Sequence, residues 1–232
     1  MKIGILQTGR AADTLREKHG DFPDMMQDML AGHGFDFQTY PVLDGIFPKD
    51  VRECDGWLLT GSRHSAYEKL PWIAQLEDFL RAAYAAEVPI VGICFGHQVL
   101  AQALGGKVEK FPMGWGVGPT TYDFADGRQE VMNAWHQDQI MVRPADATVV
   151  AANAFCVNAA LAYGTRAISF QAHPEFTGAF TRDLLELRRD LLEPAVLSAA
   201  RAACDRLKPS DKIADRIVMF FQHSAKVDTK SG

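Results

Sequence analysis

Four cysteines are all the chain contains: Cys54, Cys94, Cys156 and Cys204, with no C-x-x-C pair among them. Spacing so wide and irregular gives neither a zinc cluster nor a disulfide framework, so no metal is expected. The thiols are expected to be reduced, in a cytoplasmic setting. No apolar run is long enough to cross a bilayer, and no membrane partner is expected. Met1 leads straight into Lys2-Ile3-Gly4-Ile5-Leu6-Gln7, without signal-peptide architecture. Basic charge is not in excess: 24 Lys and Arg stand against 29 Asp and Glu, a net charge of −5. That balance argues against a nucleic-acid partner, which needs a basic surface. No glycine-rich phosphate loop of the Walker type occurs, and no cofactor is expected. At 47% hydrophobic and 23% charged, the chain is not disordered, and its 232 residues suit one or two domains.

Short apolar runs alternate with longer helical patterns. Lys2 to Leu6, Phe35 to Val42, Asp55 to Gly61, Pro89 to Cys94 and Ala167 to Gln171 read as strands. Asp24 to Leu30, Trp72 to Glu87 and Val99 to Leu104 read as helices, the last stopped by Gly105-Gly106. This β-α-β-α order predicts an α/β fold with a mostly parallel sheet between helices. Lys107 to Phe124 and Glu130 to Asn153 are rich in β-branched residues and turn signals, and read as hairpins at the edge or top of that sheet. Beyond Thr181 the pattern is helical: Arg182 to Leu192, Ala195 to Leu207 and Lys212 to Phe221, with a frayed tail from Asp228. The expected division is an α/β domain over 1–180 and a helical extension over 181–232, packed on the same domain.

The strongest chemical signal is Gly92-Ile93-Cys94-Phe95-Gly96. It has the form of a nucleophile elbow, with Cys where hydrolases carry Ser. A buried strand turns into a helix so tightly that the flanking positions must lack side chains. The sulfur then sits at the carboxyl end of the sheet, under a helix N-terminus whose free N–H groups favour thiolate. A buried structural cysteine between two glycines is the bland alternative. A thiolate nucleophile needs a base and an orienting group. Of seven histidines, His173 in His173-Pro174-Glu175 is the favoured base. Pro174 holds His173 extended, so His173 and Glu175 project to one side. His136, in Trp135-His136-Gln137-Asp138, is the rival. His97 lies three residues beyond Cys94 and reads as support for the elbow.

Taken together, Gly92-Ile93-Cys94-Phe95-Gly96-His97-Gln98, Leu104-Gly105-Gly106 and His173-Pro174-Glu175 resemble a class I glutamine amidotransferase domain. The resemblance covers roughly residues 1 to 180, and Trp135-His136-Gln137-Asp138 is similar to the Ser-His-Gly-Asp stretch of the GMP-synthase-like branch. It implies a flavodoxin-like sheet and a Cys94, His173, Glu175 triad that hydrolyses the side-chain amide of glutamine through a thioester. It further implies backbone N–H groups of Gly61 and Phe95 as oxyanion donors. Gln98, Trp135 and His136 would lie at the substrate's amino-acid end.

Departures accompany the likeness. The oxyanion turn reads Thr60-Gly61-Ser62 without the family's proline, and Trp135 and Gln137 replace Ser and Gly. No synthetase domain is expected after residue 180, since residues 181–232 read as helical and carry no phosphate loop. Three readings arise: an amidotransferase or glutaminase supplying ammonia to a separate synthase subunit, a self-sufficient hydrolase of γ-glutamyl amides or peptides, and a non-catalytic α/β binding module. The intact set of nucleophile, base and orienter favours the first two. The partner in either is glutamine or another γ-glutamyl small molecule.

Overall fold

The computed structural model describes residues 1–204 and 211–228. Its framework is a nine-stranded sheet. The first five strands in sheet order run parallel: β2 (Asp36–Tyr40), β1 (Lys2–Leu6), β3 (Gly56–Leu59), β4 (Ile90–Ile93) and β11 (Ala167–Phe170). Spatial order 2-1-3-4 followed by the last strand is the flavodoxin-like arrangement, in which sites form at the carboxyl ends of the strands. β10 (Ala160–Tyr163), β9 (Thr148–Ala152), β6 (Gly116–Phe124) and β7 (Gln129–His136) extend the sheet antiparallel. β5 (Lys107–Lys110) and β8 (Asp138–Val142) form a separate two-stranded ribbon. The turn-rich middle of the sequence thus becomes the antiparallel half of the sheet and this ribbon.

Alternation along the parallel strands feeds two cores. Leu6, Trp57, Leu59 and Ile90 pack on one face under α3 (Pro71–Ala85) and α4 (Phe95–Ala103). Ile3, Ile5, Leu58, Val91 and Ile93 pack on the other face, with α2 (Phe22–Met29) and α7 (Asp211–Asp228). All four residues of β3 and all four of β4 are buried, as central parallel strands must be when helices cover both faces. α7 supplies Ile213, Ile217 and Phe221 to this core, and Phe221 lies against Gly56 of β3.

Two further helices stand over the carboxyl ends of the strands. α1 (Asp13–His19) follows β1, and α5 (Gly178–Leu187) follows the His173-Pro174-Glu175 segment. They share a small cluster in which Leu15 meets Phe176, Phe180 and Leu184. α6 (Pro194–Ala203) lays Ala200 against Gly118 of β6. α1 differs from the sequence expectation, which left this stretch outside any helix: only Leu15 of its residues is buried, so no apolar period marks it. The expected helix from Ala195 to Leu207 is observed to Ala203, and residues 205–207 lie outside the described part, as does the tail over 229–232. Among the described residues no helix is long and apolar enough to cross a membrane.

Candidate active site

Cys94 stands between the end of β4 and the first turn of α4, with φ 52° and ψ −102°. A side-chain-bearing residue held at positive φ stores strain on the order of 1–3 kcal/mol, which the surrounding packing must offset. The glycines on either side show why the turn closes. A Cβ on Gly92 would lie 2.6 Å from the Gly96 carbonyl oxygen, and one on Gly96 would lie 2.5 Å from Leu59 Cβ. The N–H of Cys94 donates to Phe170 O at 2.8 Å, tying the turn to β11. Its sulfur therefore emerges at the carboxyl end of the sheet, at the N-terminus of α4, where the helix dipole favours negative charge.

His173 reaches the same cleft from beyond β11. Cys94, His173 and Trp135 line it together. Three contacts fix the imidazole. Its Nδ1 lies 2.7 Å from Glu175 Oε1. Its ring stacks on Phe176 with centroids 4.0 Å apart and planes within 11°. Its backbone N–H donates to Asn133 O at 2.8 Å, which anchors the segment to β7. Glu175 is buried, and its Oε2 has no hydrogen-bond partner among the described residues. Burial alone would pull the His173 pKa down. The facing charges of Cys94 and Glu175, with their hydrogen bonds, outweigh it and push the value up to about 10. The imidazolium is thus the form this setting favours.

The turn opposite carries Gly61. A Cβ there would lie 2.9 Å from His173 Cε1 and 3.8 Å from Cys94 Cβ, so only glycine allows this approach. Thr8 and Thr60 hold the turn: the Thr8 N–H donates to Thr60 Oγ1 at 2.9 Å, and the Thr8 hydroxyl lies 3.1 Å from Gly61 O. Gly96 N donates to Thr60 O at 3.2 Å, joining the turn to the elbow. The N–H groups of Gly61 and Phe95 enter no hydrogen bond among the described residues. That of Phe95 is one of the orphan donors every helix N-terminus leaves.

The remaining sequence candidates take different positions. Trp135 borders the cleft, and its carbonyl oxygen lies 3.9 Å from Cys94 Sγ. His136, the next residue on β7, is not among the cleft-lining residues, as strand alternation requires. Its Nδ1 faces Asp138 O at 3.3 Å, and burial pushes its pKa down to about 4. Gln98 is also outside the cleft lining. Its amide donates to Asp138 O at 2.9 Å and to Gln171 Oε1 at 3.1 Å. Gln171 in turn directs its own amide N–H at Cys94 Sγ, 3.8 Å away. Gln98 therefore bears on Cys94 through Gln171, a residue that sequence reasoning absorbed into a strand. The signal was present: Gln171, His173 and Glu175 alternate along an extended segment, and residues two apart share a side. His97 is fully buried and neutral, with burial pushing its pKa down to about 3. Its Nε2 donates to Asn158 O at 2.9 Å, so its Nδ1 accepts from the Ser169 hydroxyl at 2.8 Å. It braces α4 against β11. Among the described residues no group of three His, Cys, Asp or Glu side chains is placed to hold a metal ion.

Comparison with known proteins follows the same lines. The chain is 22% identical over 216 residues to Gamma-glutamyl peptidase 3 of Arabidopsis thaliana, covering 85% of this chain and 87% of that protein. It is 31% identical over 187 residues to the glutamine-hydrolyzing GMP synthase of Aromatoleum aromaticum, covering 71% of this chain but 35% of the synthase. In structure it is similar to a glutamine amido transferase from Methylobacillus flagellatus, with TM-score 0.77 and 22% identity, covering 96% and 94% of the two chains. The family model Glutamine amidotransferase class-I matches residues 27–187. With that match spanning well over half of its length, the chain belongs to the class I glutamine amidotransferase family.

Proposed function

We propose that the protein is a self-sufficient cysteine hydrolase of γ-glutamyl amide bonds, with Cys94 as nucleophile, His173 as proton carrier and Glu175 as its orienter. The observation that carries this reading is the strained elbow that aims Cys94 into the cleft shared with the His173–Glu175 pair. In the first half-reaction the Cys94 thiolate adds to the γ-carbonyl carbon. The oxygen gathers negative charge, and the free N–H groups of Gly61 and Phe95 are its donors. The C–N bond then breaks, and the leaving amine takes a proton from the His173 imidazolium. In the second half-reaction neutral His173 takes a proton from water. The hydroxide adds to the thioester, glutamate leaves, and Cys94 returns as thiolate with His173 protonated. Glu175 keeps Nδ1 protonated and the ring aligned throughout. The Gln171 amide N–H aimed at the sulfur favours the charged thiolate between turnovers.

Likeness to named γ-glutamyl peptidases along most of the chain supports hydrolysis. Gamma-glutamyl peptidase 2 of Arabidopsis thaliana and this chain match over 90% of each other, whereas the GMP synthase match covers only 35% of the synthase. A second reading, delivery of ammonia to a separate synthase subunit, rests on the synthase relatives. Glutamate release by purified protein from glutamine and a panel of γ-glutamyl dipeptides separates the two. Hydrolysis of dipeptides by the protein alone is the expected result. Inertness on every compound, relieved by adding a purified synthase, would establish the second reading instead.

A further inference from the structure

We infer that Arg63 and Arg188 form a carboxylate-recognition rim that selects γ-glutamyl peptides whose leaving amine carries a free carboxylate. The inference rests on the hydrolase reading above and names the substrate class of that same cleft. Three arginines line the cleft with Cys94 and His173: Arg10 after β1, Arg63 two residues beyond Gly61, and Arg188 directly after α5. The chain as a whole carries a net charge of −5, yet three guanidinium groups line this one opening. Arg10 is already engaged by an ion pair with Asp44. The other two are exposed, and neither guanidinium makes an ion pair or hydrogen bond among the described residues. Arg63 acts on Glu68 only as a nearby charge, while that carboxylate is bonded by Ser65 N and His64.

The chemistry of the leaving group decides what such a rim is for. Glutamine releases ammonia, which carries nothing that could reach the rim. A γ-glutamyl peptide releases an amino acid or peptide, whose carboxylate lies a few bonds from the scissile nitrogen. Arg63 follows the Gly61 turn, where the γ-carbonyl oxygen is bound in the proposed mechanism, and it lines the cleft with Cys94 and His173 as an exposed residue. Forked arginine donors match a carboxylate in a way a lysine ammonium does not. Phe22 and Leu184 add apolar wall to the same cleft and suit an apolar side chain on the leaving residue.

The test compares glutamate release from γ-glutamyl-leucine, γ-glutamyl-leucine amide and glutamine. The amide differs from the dipeptide only by loss of the leaving-group charge. Purified protein is expected to favour the free acid over its amide by about tenfold in kcat/KM, carried by KM, since exposed ion pairs are individually weak. Added salt should shrink the preference. Arg63→Ala and Arg188→Ala should each reduce it, the double variant should bring the ratio near one, and Arg63→Lys should restore part of it. Equal use of acid and amide by the unaltered protein would overturn the inference. So would variants that lose as much on glutamine as on the free acid, because the arginines would then be reading the γ-glutamyl head group. Activity on glutamine without discrimination between acid and amide removes this inference alone. Absence of glutamate release from all three compounds removes the hydrolase reading with it.

Discussion

His173, His136 and His97 are all buried, yet their surroundings drive them in opposite directions. Burial holds His97 at about 3 and His136 at about 4, below the ordinary 6.5. An unfolded chain therefore takes up protons below about pH 6.5 that the folded chain refuses, and stability falls with pH from there downward. His173 behaves inversely. Its raised value near 10 gives a contribution fully present below 6.5 and lost as pH rises through about 10. Urea midpoints measured across pH should thus decline on both sides of a maximum near pH 6.5. Cys94→Ala removes one of the charges that raises His173, so its alkaline decline should be smaller and should end at lower pH. His97→Gln has no ionisable group at that position and should flatten the acid limb. An alkaline limb that does not move in Cys94→Ala would separate His173 from Cys94 electrostatically.

At the scale of elements, the site is three strand ends and the turns that leave them. Two of the turns were legible as sequence. Gly92 and Gly96 bracket Cys94 because a buried strand and helix can approach so closely only without side chains, and the pattern announces that constraint. His173-Pro174-Glu175 was legible because proline enforces the extension that pairs the two side chains. What escaped was support whose partners lie far apart in the chain: Thr8 bonding Thr60 across 52 residues, and Gln98 bonding Gln171 across 73. No local period or motif encodes such pairs. The direction of Gln98 and His136 also depended on which face of α4 and β7 meets the cleft, which only the assembled sheet decides. The elbow itself offers a sharp check. Gly96→Ala would force a methyl against Leu59 Cβ at 2.5 Å and against the Leu59 carbonyl oxygen at 2.9 Å. A loss of about 1–3 kcal/mol in unfolding free energy is expected, as for overpacked cores. Turnover should fall beyond what the folded fraction explains, because the strain falls on the turn that positions Cys94. Unchanged stability and turnover would mean the approach is looser than described.

For the whole molecule, the parallel half of the sheet and its covering helices act as one support for the cleft. α7 comes from the end of the chain, but its Phe221 is buried against Gly56 on β3, and β3 leads directly into the Gly61 turn. The helical character of this region was readable from its apolar spacing. Its destination was not, because an amphipathic terminal helix reads the same whether it covers a sheet or docks a partner. Phe221→Ala should cost about 3–5 kcal/mol of stability, the usual penalty for emptying a buried aromatic site, as read by denaturant unfolding. The folded fraction should keep its kcat, because Phe221 is not among the cleft-lining residues. A kcat loss exceeding the unfolded fraction would show that α7 also sets the geometry of the Gly61 turn. The central claim is that the reaction passes through a γ-glutamyl thioester on Cys94. It is tested most directly by acid-quenching the protein during turnover of a γ-glutamyl dipeptide and locating any covalent adduct by peptide mass spectrometry. The account predicts a γ-glutamyl adduct on the peptide containing Cys94, none on Cys54, Cys156 or Cys204, and neither adduct nor glutamate from Cys94→Ala. Glutamate released at an undiminished rate by Cys94→Ala, with no adduct on Cys94 in the unaltered protein, would contradict it.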